Sequence, residues 1–167
     1  LGLVLLVRPR QLLATVTAFT VAHSITLAAS ALGGVSLPGP PVEITIAMSI
    51  ALLGAEAIYR MRGRETLAQT MPWLIAFGFG LVHGFGFAGA LSEIGLPPGA
   101  EVMALLLFNL GVEAGQVAFV LVLLALAWIG RHLYRPGGPA VRTAAAYAIG
   151  ITGSYWAIER IAATFFF

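Results

Sequence analysis

Cysteine, lysine and aspartate are absent from this sequence, and only 10% of its 167 residues are charged. Without cysteine, the chain can form no disulfide, no thiolate metal site and no cysteine nucleophile. The nine basic residues are all arginine and the seven acidic residues are all glutamate. So few charges cannot form a surface that follows a phosphate backbone, and no nucleic-acid partner is expected. A soluble domain usually has about 25% charged residues, which argues against a typical soluble enzyme.

Apolar residues make up 59% of the sequence, and the mean hydropathy is +0.95. A helix that crosses a bilayer needs about 20 mostly apolar residues. Five stretches provide them: residues 11–32, 41–59, 72–92, 101–129 and 141–163. A sixth apolar piece, residues 1–7, is too short to span and is interpreted as the tail of an earlier helix. The sequence therefore predicts an all-α fold, a polytopic transmembrane helical bundle with five full spans, forming a single integral membrane domain over residues 1–167.

Arginine is distributed unevenly among the connections between these spans. The first, third and fifth connections carry it, as Arg8 and Arg10, as Arg60, Arg62 and Arg64, and as Arg131 and Arg135. The second and fourth connections carry none. By the positive-inside rule the basic connections face the cytoplasm, and the C-terminus lies outside. Arg160, near the outer end of the last span, is an exception to this pattern.

Two parts of the sequence resemble each other and predict an internal repeat. In each part a phenylalanine stands four residues before a histidine, and a glutamate follows on the next span. The first copy has Phe19, His23 and Glu56, and the second has Phe79, His83 and Glu113. Residues 11–59 and 72–129 would then be two copies of a two-helix hairpin, related by an axis along the membrane normal. The alternative is coincidence in a composition rich in alanine, glycine and leucine.

Two histidines and two glutamates lie within the predicted spans. An ionisable group at the bilayer centre costs about 2.5–3.5 kcal/mol on insertion scales, so it usually faces the interior of the bundle and is paired. Imidazole nitrogens suit zinc, copper, iron and nickel, and carboxylates offset the charge of a dication. The candidate metal ligands are therefore His23, His83, Glu56 and Glu113. The alternative is structural: each histidine would hydrogen-bond a neighbouring helix, and each glutamate would bond to a backbone group or an arginine.

Other polar residues recur at helical spacing near these four. They are Thr20 and Ser24 beside His23, Ser49 beside Glu56, and Asn109 and Gln116 beside Glu113. Residues three, four or seven positions apart share a helix face, so these side chains are expected to orient the site or to line a path. The 72–92 span is dense in glycine, which allows close approach of another helix. His132 lies in a basic connection and is expected at the membrane interface.

Three segments give this sequence a specific resemblance. They are Phe19–Leu27, Phe77–Ala88 and Phe108–Gln116, with Val42–Glu43 and Ser49–Glu56 adding to the pattern. Over roughly residues 1–130 the chain resembles the HupE/UreJ family of bacterial membrane proteins. The resemblance implies transport of a divalent transition-metal ion, nickel foremost, that supplies the assembly of hydrogenase or urease. Ni²⁺ would be a transported ligand, and no permanent cofactor is expected. Family members carry an earlier helix with a histidine and an Asp-His pair, which this chain does not contain.

Two other functions stay open at this point. An intramembrane enzyme, metal-dependent or serine-based, could use Ser24, Ser49 and the histidines, but the His-Glu-x-x-His and Gly-x-Ser-x-Gly motifs are absent. A non-transporting accessory protein could bind a hydrogenase or urease assembly partner, although the connections offer little docking surface. Transport is preferred, which makes the chain not an enzyme. Its expected partners are the lipid bilayer and a divalent metal ion, and a homo-oligomer is compatible with the sequence.

Overall fold

The computed structural model describes residues 9–133 and 138–166, and this part of the chain consists of helices and short connections. The helices are α1 (Pro9–Gly33), α2 (Gly39–Met61), α3 (Leu67–Thr70), α4 (Pro72–Ile94), α5 (Glu101–Leu133) and α6 (Gly138–Phe165). The predicted all-α class is confirmed. The predicted helix tail at residues 1–7 lies outside the described residues, as does the side chain of His132.

Four of the helices are long and apolar enough to cross a membrane. These spans are Gln11–Gly33, Gly39–Met61, Pro72–Leu91 and Glu101–Gly130, found among the described residues. They coincide with four of the five predicted spans. Helix α6 is 28 residues long but carries Arg142, Glu159 and Arg160, and it does not belong to this apolar set. The fifth predicted span therefore stays a prediction.

Helices α1 and α4 run parallel to each other. Gly80 of α4 faces the backbone of Phe19, and Gly84 faces that of His23, so residue numbers rise together along both helices. Each of these two helices is followed in sequence by a long helix that runs in the opposite direction, α2 after α1 and α5 after α4. Helices α2 and α5 therefore begin at the same end of the bundle. We call this the glutamate end, after Glu43 and Glu101, which lie near the starts of α2 and α5.

The opposite end of the bundle carries the connection between α2 and α4. Arg60, Arg62 and Arg64 lie there, and we call it the arginine end. Helix α6 begins at this end, because it runs antiparallel to α2: Gly150 faces Gly54, whereas Gly153 faces Ala51. The direction of the chain thus alternates from one long helix to the next, as the arginine pattern predicts.

The long helices pack in the lateral order α5, α1, α4, α2, α6. Helix α1 contacts α4 most extensively and also contacts α5, whereas α4 also contacts α2 and the short helix α3. Helix α6 packs on α2. Each predicted hairpin therefore contributes one central helix, α1 or α4, whose outer neighbour comes from the other hairpin. Exchanging the two hairpins would preserve the contacts among α1, α2, α4 and α5, but the duplication itself stays a prediction.

Glycines decide how closely the two central helices approach. A Cβ atom at Gly80 would collide with the carbonyl oxygen of Phe19, and one at Gly84 would collide with Thr26 Oγ1 and the carbonyl oxygen of His23. Close packing through glycines of the 72–92 span is thus observed at these positions. By contrast, Gly78 and Gly89 have open space where a Cβ would stand.

Two apolar clusters lie above and below the middle of the bundle. The Leu12 cluster, near the arginine end, contains the buried residues Leu12, Ala57, Ala68 and Ala146. The Leu27 cluster, nearer the glutamate end, contains Leu27, Ala88 and Leu105, with Phe108 packed against it. The functional candidates on α1, α4 and α5 lie between these two clusters in sequence and along the helices.

Candidate functional site

The side chain of His23 is completely buried, and its imidazole makes no hydrogen bond. Its exposed fraction is 0%, and neither Nδ1 nor Nε2 has a partner. The imidazole lies among the rings of Phe19, Phe87 and Phe108, with centroids 6.0, 5.1 and 6.4 Å away. A buried polar group without a hydrogen-bond partner lowers the free energy of unfolding by about 1–3 kcal/mol. Selection for stability alone would therefore replace such a group. In the neutral ring one of these nitrogens carries a proton, and the lone pair of the other is free to bind a proton or a cation.

His83 is held differently, although its ring shares Phe19 as a neighbour. Its Nδ1 atom lies 2.7 Å from the carbonyl oxygen of Phe79, one helical turn earlier. Because a carbonyl oxygen only accepts, Nδ1 carries the proton in this bond. In the neutral ring the Nε2 lone pair is then available to a ligand. The Phe19 ring meets that of His83 edge-on, at 5.3 Å between centroids, so Phe19 contacts both imidazoles.

Helix α5 brings a carboxylate and an amide against α1. Glu113 Oε1 accepts a hydrogen bond of 2.9 Å from the hydroxyl of Thr17. Gln116 Oε1 accepts one of 3.2 Å from the hydroxyl of Thr20. Thr17 was not among the predicted residues, but it stands three positions before Thr20 on the same helix face, and this spacing could have identified it.

Asn109 and Ser24 occupy the same two helices. Asn109 Nδ2 donates to the carbonyl oxygen of Leu105 at 2.9 Å, whereas its Oδ1 atom is buried without a partner. The preceding residue, Phe108, stacks on His23, which places this turn of α5 beside the histidine. Ser24 Oγ donates to the carbonyl oxygen of Thr20 at 2.7 Å.

These side chains form a polar layer across α1, α4 and α5. We use this name for His23, His83, Thr17, Thr20, Asn109, Glu113 and Gln116. The layer unites the two histidine-bearing helices with the second predicted glutamate. It brings together residues that are as much as 96 positions apart in sequence. Its available ligand atoms are imidazole nitrogens, an amide oxygen and a carboxylate, a donor set that suits borderline divalent metals.

Glu56 and Ser49 lie on α2, outside the polar layer. Glu56 is 8% exposed, and its Oε2 accepts a hydrogen bond of 2.8 Å from the backbone N–H of Ala68, at the start of α3. Ser49 Oγ donates to the carbonyl oxygen of Ile46 at 2.6 Å. Among the residues whose positions are described, no three His, Cys, Asp or Glu side chains are close enough to hold a metal ion together. The four predicted ligands are thus not assembled in this conformation, and their assignment stays a prediction.

The acidic residues at the glutamate end are engaged with their surroundings. Glu43 forms an ion pair of 3.1 Å with Arg160, and both side chains are about half exposed. Glu101 accepts a hydrogen bond of 2.9 Å from the N–H of Gly99. The ion pair gives a partner to Arg160, the exception to the predicted charge pattern.

Comparison with known proteins identifies the family of the chain. No curated protein and no solved structure matches the sequence. A family model described as HupE / UreJ protein matches residues 1–160, beyond the roughly 130 residues over which the resemblance was noted. Four apolar helices and this match indicate a multi-pass membrane protein. The chain belongs to the HupE/UreJ family, which is known for nickel and cobalt accessory or transport-related proteins and is not a known enzyme family.

Proposed function

We propose that this protein carries a divalent transition-metal ion, foremost Ni²⁺, across the bacterial inner membrane to supply metalloenzyme assembly. One observation carries the proposal: His23 is fully buried with both ring nitrogens unpartnered, on a helix packed directly against that of His83. A stabilising role would give the imidazole a hydrogen-bond partner. A role in binding a passing cation requires that its nitrogens be unoccupied between transport events.

The polar layer supplies both imidazole and carboxylate ligands for such an ion. His23 and the Nε2 atom of His83 would bind first-row metals such as nickel, whereas Glu113 would neutralise part of the charge. The carboxylate is bonded only to a threonine hydroxyl among the hydrogen bonds described, a partner that a metal could displace. Glu56 would join this set only if its bond to Ala68 breaks during transport.

A sparse site is consistent with transport. An ion in transit must bind strongly enough to lose its hydration shell and weakly enough to leave. A permanent metal centre would use four preassembled ligands, as structural zinc sites do. The described conformation brings two histidines and a carboxylate to adjacent helices without closing them into such a centre. Because these groups must lose protons to bind metal, transport could be coupled to protons.

The proposal includes an orientation in the membrane. The arginine end faces the cytoplasm, since basic residues are retained on that side. Helix α6 then forms the fifth span, with the C-terminus outside, and the two hairpins are copies related by an axis along the membrane normal. The parallel packing of α1 and α4 supports this arrangement, because duplicated hairpins inserted with equal orientation would pack in this way.

Metal uptake into proteoliposomes tests the proposal directly. Ni²⁺, Co²⁺, Zn²⁺ and Fe²⁺ are compared for the unaltered chain and for His23→Ala, His83→Ala and Glu113→Gln. We expect uptake of one metal that each of the three substitutions abolishes or strongly lowers. His132→Ala and Glu159→Gln are the matched controls, because they remove the same chemical groups from residues that are not members of the polar layer. Folded protein that takes up none of these metals would contradict transport and favour the accessory role.

A further inference from the structure

The polar layer is closed towards the glutamate end by the Leu27 cluster. Leu27 follows His23 by one helical turn on the same face of α1, and Leu105 precedes Asn109 by one turn on α5. Leu27 is 0% exposed and Leu105 is 4% exposed. The helical rise places these leucines about 6 Å beyond the polar side chains. An ion leaving His23 towards the glutamate end would therefore meet an apolar seal.

The other side of the polar layer faces the Leu12 cluster, whose residues Leu12, Ala57 and Ala68 are also buried. Thr17 lies on the arginine-end side of His23, is exposed, and forms its bond with Glu113 at the surface between α1 and α5. The polar layer thus reaches the outer surface of the bundle at Thr17 and Glu113, whereas Leu27 and Leu105 cover it towards the glutamate end.

We propose that Leu27 and Leu105 form the gate between His23 and the glutamate end, an inference that rests on the proposed transport function. An apolar constriction excludes ions because they cannot keep their hydration shell inside it. Phe108 connects the gate to the site, since its ring stacks on His23 and also packs against the Leu27 cluster. Because the two rings are stacked, a rotation of the imidazole on metal binding would displace Phe108, and this displacement would loosen the packing of the gate.

The absence of cysteine makes the gate testable without any transport assay. A single reporter, Ser24→Cys, lies next to His23 on a partly buried position of α1. A membrane-impermeant cationic methanethiosulfonate is applied to oriented vesicles, first at the glutamate end and then at the arginine end. The labelling rate is measured in the reporter background and after addition of Leu27→Ala, Leu105→Ala or the milder Leu27→Val. Leu12→Ala is the matched control, because it makes the same truncation in the Leu12 cluster.

We expect slow labelling of the reporter from the glutamate end. Leu27→Ala and Leu105→Ala should each raise that rate by about tenfold or more, because a hydrated path replaces an apolar constriction. Leu27→Val should raise it less, and Leu12→Ala should leave it unchanged. The gate is ruled out if the reporter alone already reacts rapidly from the glutamate end. An equal increase with Leu12→Ala, or no increase with any leucine variant, would also overturn it.

Labelling and uptake separate the gate from the proposed function. Labelling of the reporter needs no metal. If the labelling rates follow the prediction but no metal is taken up, the gate is supported and the proposed transport is contradicted. If uptake depends on His23 and His83 but the reporter is labelled rapidly from the glutamate end, transport is supported and the gate is contradicted. Addition of Ni²⁺ to the reporter protein provides a third readout, because displacement of Phe108 should raise labelling from the glutamate end.

Discussion

Two helix pairs in the described part of this protein pack through glycine, and only one of them carries histidine. In the α1·α4 pair, Gly80 and Gly84 face the backbone beside Phe19 and His23. In the α2·α6 pair, Gly54 faces Gly150 so closely that an added Cβ would stand 2.5 Å from its Cα atom. Membrane helices use small residues to gain packing contacts, because lipid offers no hydrophobic drive to associate. Glycine packing by itself therefore indicates only that helices associate, and the histidines mark the pair to which the proposed function assigns a further role.

Substitution of the two glycine pairs should have the largest effects and should separate these roles. Gly84→Ala places a methyl group against the backbone of His23, and Gly54→Ala places one against Gly150. We expect each to lower stability by about 1–3 kcal/mol, as overpacking of a core does. In folded protein at low temperature, Gly84→Ala should abolish metal uptake, because it displaces His23, whereas Gly54→Ala should retain it. Thermal unfolding in detergent and uptake per folded molecule measure the two effects.

Equal loss of uptake in both folded glycine variants would contradict this comparison. It would show that transport depends on the tightness of the whole bundle and not on the position of the histidine. Gly78→Ala and Gly89→Ala are suitable controls, since both positions have open space for a Cβ. These variants should keep the stability and the uptake of the unaltered chain.

The two histidines should respond oppositely in stability. Replacing His23 by leucine removes a buried polar ring without partners and should raise the free energy of unfolding by about 1–3 kcal/mol. Replacing His83 by leucine removes a hydrogen bond to Phe79 and should not stabilise the protein. Both changes should abolish metal uptake. A His23→Leu protein that melts below the unaltered chain would show that the imidazole has a stabilising partner, and it would remove the observation on which the proposed function rests.

The two glutamates should also differ, although the predicted repeat gives them equivalent positions. Glu113→Gln should lower uptake strongly with little change in stability, because an amide oxygen can still accept the bond from Thr17. Glu56→Gln weakens a charge-assisted bond to the N–H of Ala68 and should lower stability by about 1 kcal/mol, with uptake retained. Uptake and thermal unfolding of both variants provide the check. If Glu56→Gln abolishes uptake in folded protein, the four-ligand site holds and Glu56 has to leave Ala68 during transport.

The sequence predicts the helices well because their ends are marked by proline, glycine and charge. Helices α4 and α5 begin at Pro72 and Glu101, the first residues of the predicted spans. The short helix α3 was missed, since a four-residue helix has no apolar period to detect. Its signal was nevertheless present as Thr66 and Gln69, which form a capping box in the structure. This helix supplies the N–H that engages Glu56, so missing it also hid the role of that carboxylate.

The site is less predictable, because it depends on how the helices rotate and pair. Helical spacing identifies which side chains share a face, but not which face meets which neighbour. Thus the spacing assigns Thr20 to a polar face of α1 and Gln116 to a polar face of α5. Their hydrogen bond could be predicted only if the contact between α1 and α5 were known. The rings of Phe87 and Phe108 around His23 were equally hidden, since phenylalanine on an apolar helix carries no signal for a particular contact.

The smallest effect is expected at the ion pair that joins α2 and α6 at the glutamate end. Arg160 and Glu43 are both about half exposed, and exposed pairs contribute about 0–1 kcal/mol. Arg160→Gln should therefore change the melting temperature little and leave uptake intact, because this contact lies on the helix pair without histidines. The reciprocal variant, Glu43→Arg with Arg160→Glu, should restore any loss that the single changes cause. A large loss of uptake in Arg160→Gln would extend the functional region to α2 and α6, and the contrast between the two glycine-packed pairs would no longer hold.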